Sequence, residues 1–140
     1  KELDIGIVVM TEMFAEQWMR KFMDEWNKET ELANELLNLN FNSTIAYGFA
    51  DDESPRGILV IKNGQAISGT TFDNQSCNWD LRASKESWQK WLSKPPGMMA
   101  LGMAYTAREL KFVKGDYTSM IKDPSMAGPF VKSFAVMGRV

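Results

Sequence analysis

Histidine is absent from all 140 residues, which removes most of the side-chain chemistry that a hydrolase or metalloenzyme would use. Ser-His and Cys-His nucleophile pairs cannot form, and neither can any histidine-bearing metal site. The single cysteine, Cys77, alternates with Trp79 and Leu81 and reads as a small buried apolar residue rather than a reactive thiol. Asp51-Asp52-Glu53 runs into Ser54-Pro55 and reads as an acidic turn, not a metal site. Gly64 and Gly69-Thr70 have the glycine spacing of a phosphate loop, but they lack its lysine and fall in a hairpin. Asp80, Glu109 and Asp116 are the remaining candidates for acid-base work, and nothing in their spacing brings them together. The residues therefore predict no catalytic group, no metal and no cofactor.

What is abundant is apolar and soft. Ten methionines, eight phenylalanines and five tryptophans stand in the chain. Methionine is flexible and polarisable, and it suits surfaces that adapt to varied apolar partners. Many large apolar side chains with few convergent polar groups are what an apolar ligand cavity requires.

Length and composition place these side chains in one domain spanning 1–140. Its hydrophobic fraction of 44% and charged fraction of 24% are those of an ordinary globular protein. Ile5 to Met10 is the only early apolar run. It is too short to span a bilayer, and it lacks a clear cleavage site, so a cytoplasmic location follows by elimination. Charge is divided. Residues 1–53 carry twelve acids and four bases, whereas residues 54–140 carry six acids and twelve bases. The favoured reading is mutual complementation of the acidic first helix and the basic remainder. The sharper one is a basic face with Lys85, Lys90, Lys94, Lys111 and Lys114 that meets anionic head groups or acyl carriers. Either way membrane contact is at most peripheral, and the balance is not basic enough for nucleic acid.

The elements follow from periodicity. Met10, Phe14, Trp18, Phe22 and Trp26 recur every four residues and predict a helix over about 8–28, with a second piece through Leu32, Leu36 and Leu37. Residues 41–50 alternate, with Phe41, Ile45, Tyr47 and Phe49 on one face. Ile58 to Lys62, Asn63-Gly64 and Gln65 to Gly69 predict a type I′ hairpin. Ser76 to Ala83 reads as a fourth strand, and Ser84 caps a helix with Trp88, Trp91 and Leu92 inward. Pro95-Pro96-Gly97 breaks it. A helix over about 98–107, a strand over 110–114 and a tail helix starting at Pro129 complete the order. This is an α+β fold, a five-stranded, mostly antiparallel sheet covered on one face by helices.

Residues 79–88, Trp-Asp-Leu-Arg-Ala-Ser-Lys-Glu-Ser-Trp, resemble the strand-to-helix passage of the sterol carrier protein family. Gly97, Ala104 and Leu110, leading to Gly115-Asp116, resemble its Gly…Ala…Gly-Lys-Leu pattern and strand ending. Two departures stand out. Arg108 occupies a position usually held by glycine, and Leu110 to Asp116 carries one extra residue, taken up by a bulge or by a one-residue shift of the alignment. The resemblance covers about residues 41–137 and implies an apolar tunnel between sheet and helices. It implies that the chain is not an enzyme but binds and transfers a lipid or other apolar small molecule: a fatty acid, acyl-CoA or sterol. A partner enzyme of lipid or steroid metabolism is a further implication. The residues expected to line the tunnel are Trp18, Phe22, Met99, Met103, Phe112, Phe130, Phe134 and Met137. Two alternatives stay open. One is a small isomerase or lyase with Asp80 or Asp116 as a general base. The other is a structural subunit that offers the aromatic face of helix 10–26 to a partner.

Overall fold

A computed structural model of the protein describes residues 12–140. Helices α1 (Glu16–Lys28) and α2 (Thr30–Asn38) precede strands β1 (Ser43–Phe49), β2 (Gly57–Lys62), β3 (Gln65–Thr71) and β4 (Trp79–Ala83). Helices α3 (Lys85–Ser93) and α4 (Met98–Thr106) follow, then β5 (Lys111–Lys114), α5 (Tyr117–Ile121) and α6 (Pro124–Met137). The five strands lie in the order β3-β2-β1-β4-β5. Among the described strands only the central pair β1 and β4 is parallel; the other pairs are antiparallel.

Asn63 and Gly64 both take positive φ, 49° and 83°, which gives the β2–β3 loop the expected type I′ twist. Alternation along the strands sends Ile45, Tyr47, Leu59, Ile61, Leu81 and Ala83 into the core beneath the helices. Trp88 and Trp91 of α3 and Phe134 of α6 pack on one another from above, with ring centroids 5.4–6.1 Å apart. Two indoles also tie helix to sheet through polar tips: Trp26 Nε1 donates to the Gly64 carbonyl and Trp88 Nε1 to that of Gly48, each at 2.9 Å.

Helix α1 begins at Glu16, later than its period suggests, and residues 8–11 lie outside the described part. Phe14 has φ 68° and sits in the preceding turn, so its ring reaches the core from a loop rather than a helix. There it stacks on Tyr47 at 5.8 Å. The aromatic face of α1 is not offered to a partner: Trp18, Phe22 and Trp26 are buried in the chain's own core. The helix backbone comes directly onto the sheet at Gly69, where a β-carbon would collide with the Met19 carbonyl. At its far end Asn27 reaches the outermost strand. Its Nδ2 donates to the Ala66 carbonyl at 2.8 Å, and Ala66 N–H donates back to its Oδ1 at 2.9 Å.

Three further departures have local causes. The tail helix starts at Pro124, not Pro129, because Asp123 accepts from the Ser125 amide and proline fits the first turn. Pro129 therefore lies inside α6 and offers no amide to the carbonyl of Ser125, one turn earlier. The fourth strand starts only at Trp79, because the Asn78 side chain accepts from the Thr44 amide at 2.8 Å in place of the ladder. Cys77, outside that strand, is half-buried rather than buried. The extra residue of β5 appears as a bulge: Leu81 pairs with Phe112 and Asp80 with Lys114, so Val113 is left over.

The position of Arg108 has a backbone explanation. α4 ends in a Schellman turn, in which Glu109 N–H donates to the Ala104 carbonyl at 2.8 Å and Arg108 N–H to that of Tyr105 at 3.0 Å. This turn requires a left-handed residue, and Arg108 supplies it at φ 63°. Glycine carries no steric penalty there. Arg108→Gly is expected to raise the unfolding free energy by about 0.5–1 kcal/mol, the strain relief exceeding the added freedom of the unfolded chain. Urea denaturation checks this; a destabilised variant would remove the argument.

Candidate functional site

The same strand alternation builds the floor of a cavity. Ile45 and Tyr47 of β1 stand opposite Trp79 and Leu81 of the parallel β4, and all four line it. The roof is one stripe of α6, Met126, Pro129, Phe130 and Ser133, spaced as neighbours on a helix surface. Trp26, Leu36, Phe41 and Met120 complete the walls. The cavity, partly open to solvent, has a volume of about 50 Å³. Pockets for drug-sized ligands measure roughly 300–1,000 Å³, so a lipid fits only if the walls move apart. The walls include parts suited to that: two flexible methionines, the five-residue α5, and an α6 whose hydrogen-bond ladder is interrupted at Pro129.

Among the described residues no charged side chain lines the cavity. Its polar groups are few. The Ser133 hydroxyl donates to the Phe130 carbonyl at 2.6 Å. The Tyr47 side chain is 3% exposed, and its hydroxyl has no hydrogen-bond partner among the described residues. Burial pushes its pKa well up, so it stays neutral and can donate.

The expected site residues separate into four groups. Phe130 lines the cavity. Phe112 stands behind it, 5.9 Å from both Phe130 and Trp79, and Phe134 lies one turn along, 5.3 Å from Phe130 but packed on Trp88 and Trp91. Trp18, Phe22 and Met137 are buried in the main core and do not line the cavity, although the Phe22 ring packs on the lining residues Trp26 and Tyr47. Met99 and Met103 point outward, 80% and 67% exposed, because Leu101 and Ala104 form the buried face of α4. Residues 98–104 are apolar nearly all round, so their period could not choose the inner face. A tail helix read from Pro129 leaves out Met126, and Ser133, a lone serine on an apolar stripe, carries no signal of a ligand site.

The candidate acids lie elsewhere. Asp80 faces the opposite side of the sheet, where Arg82 Nε and a terminal guanidinium nitrogen donate to its two oxygens at 2.6 and 2.9 Å. Arg82 also donates to the Asp52 carbonyl at 2.9 Å. Asp116 caps α5, and hydrogen bonds from Ser119 hold its pKa below the usual carboxylate range. Hydrogen bonds from Lys90 and Ser87 do the same for Glu109. None of the three lines the cavity.

An open five-stranded mixed sheet with helices packed over it is an architecture that solved structures share. The chain superposes on a crystal structure of sterol carrier protein 2 with TM-score 0.71 and 16% identity, covering 92% of this chain and 99% of that one. A conserved hypothetical protein of Thermus thermophilus, described as possibly a sterol carrier protein, matches at TM-score 0.64 and 15% identity over 90% of each chain. The ubiquinone synthesis protein UbiJ-SCP2 matches at TM-score 0.55 and 11% identity over 98% of each. No family model and no curated protein matches by sequence. The chain is a sterol carrier protein 2-like domain by fold.

Proposed function

We propose that the protein is a non-catalytic carrier that takes the uncharged part of a lipid between the β1–β4 floor and α6. The observation that carries this reading is the lining itself: among the described residues, eleven apolar or aromatic side chains and one serine, with no charge. Burying an ion there without a partner would be prohibitive, whereas a hydrocarbon or a neutral polar group is welcome. The Tyr47 hydroxyl offers that neutral group a hydrogen bond. The matching structures named for sterol carrier protein support the reading.

Titration with a fluorescent fatty acid tests it. Wild type is expected to bind in the micromolar range, about −8 kcal/mol. Phe130→Glu should weaken binding about tenfold or more, because the new carboxylate must be desolvated or water admitted. Tyr47→Phe should leave the fatty acid unaffected and weaken a long-chain alcohol several-fold, by about 1 kcal/mol. Lys85→Ala, on the exposed start of α3, should change nothing. Folded Phe130→Glu that binds like wild type would place the site elsewhere.

A further inference from the structure

The outward methionines of α4 call for an explanation of their own. Met98, Met99 and Met103 are 45%, 80% and 67% exposed on a nine-residue helix. Met99 and Met103 lie one turn apart on one face. From Lys94 to Arg108 the chain contains no acidic residue, and these two exposed cations stand just before and just after the helix. Lys111 and Lys114, also exposed, extend the positive charge along β5. Glu109, the one acid between them, is already bonded to Lys90 and Ser87.

We infer that this face of α4 is the surface by which the protein docks on an anionic bilayer, the methionines entering the interface and the cations meeting the head groups. An apolar helix face bordered by cations is the arrangement that lies in a membrane surface. A second copy of the chain is disfavoured, because the same cations would face each other. A protein partner is disfavoured as well, because lysine, three of the four cations here, is depleted at protein interfaces. The surface does not depend on the cavity's being occupied. It does lie near it, since Tyr105 of α4 stacks on Tyr117 at 4.0 Å and Phe112 bridges from Tyr105 to Phe130 at 5.9 Å each way.

Sedimentation with sucrose-loaded vesicles decides the matter. The full chain should pellet with phosphatidylcholine vesicles that contain phosphatidylglycerol, pellet poorly with phosphatidylcholine alone, and be released by salt. Met99→Gln with Met103→Gln, a neutral change of similar length, should cut binding about tenfold, and Lys111→Glu with Lys114→Glu should do the same. Both pairs are exposed, so unchanged thermal melting confirms that they fold. Phe130→Glu should pellet like wild type, which separates this result from the cavity assay. Wild type that ignores anionic vesicles, or methionine variants that pellet normally, would overturn the proposal. Binding to an acidic protein without vesicle binding would overturn it in favour of a protein partner.

Discussion

Arg82→Ala is expected to lower the unfolding free energy by about 3–5 kcal/mol, because it strands a buried carboxylate. Asp80 and Arg82 are 5% and 4% exposed, and the pair is bidentate. With the Asp52 carbonyl they satisfy one another where water does not reach. Asp80→Asn should cost nearly as much, since the guanidinium then loses its counter-charge. Replacing both by apolar residues of similar volume, Asp80→Leu with Arg82→Met, should recover most of the loss. Chemical denaturation of the four proteins measures the cycle. Single variants within about 1 kcal/mol of wild type would show that water or a rearranged partner compensates. The result also bears on the enzyme alternative: a rate lost in Asp80→Asn has to be separated from lost fold before it says anything about a general base.

Gly69→Ala should be costly out of proportion to one methyl group. A β-carbon at this position would lie 2.7 Å from the Met19 carbonyl carbon, so α1 would have to lift off the sheet and open the core beneath it. Overpacking of this kind costs about 3 kcal/mol, and here the obstacle is backbone rather than a side chain that can swing away. Gly128→Ala makes the opposite forecast. Nothing lies within 4 Å of a β-carbon there, and the residue is inside α6, so alanine should stabilise by about 0.5–1 kcal/mol. Thermal unfolding of the two variants side by side checks both signs. A tolerated Gly69→Ala would mean that the helix is not seated as described.

The fold was legible where local chemistry decides. Asn63-Gly64 specifies its turn almost alone, and Ser84 caps α3 as expected, its hydroxyl accepting from the Ser87 amide. The cavity was less legible because its floor depends on a parallel pairing between β1 and β4, which no short-range pattern reports. Tyr47 and Trp79 looked like ordinary strand residues until that register put them on one wall. On α4 the hydrophobic count pointed inward, but only packing against the rest of the chain could show that Leu101 and Ala104 were the buried pair.

The bond pair between Asn27 and Ala66 reaches beyond the chain itself. β3 is the outermost of the described strands on its side, and a bare outer strand is a template on which other chains can add. The Asn27 amide occupies the Ala66 donor and acceptor together, as a neighbouring peptide would. At the opposite border, β5 is four residues long, bulged at Val113 and bracketed by Lys111 and Lys114. Both borders are therefore blunted against strand addition, one by a borrowed side chain and the other by brevity and charge. A chain so rich in exposed methionine is thereby guarded against stacking edge to edge into fibrils.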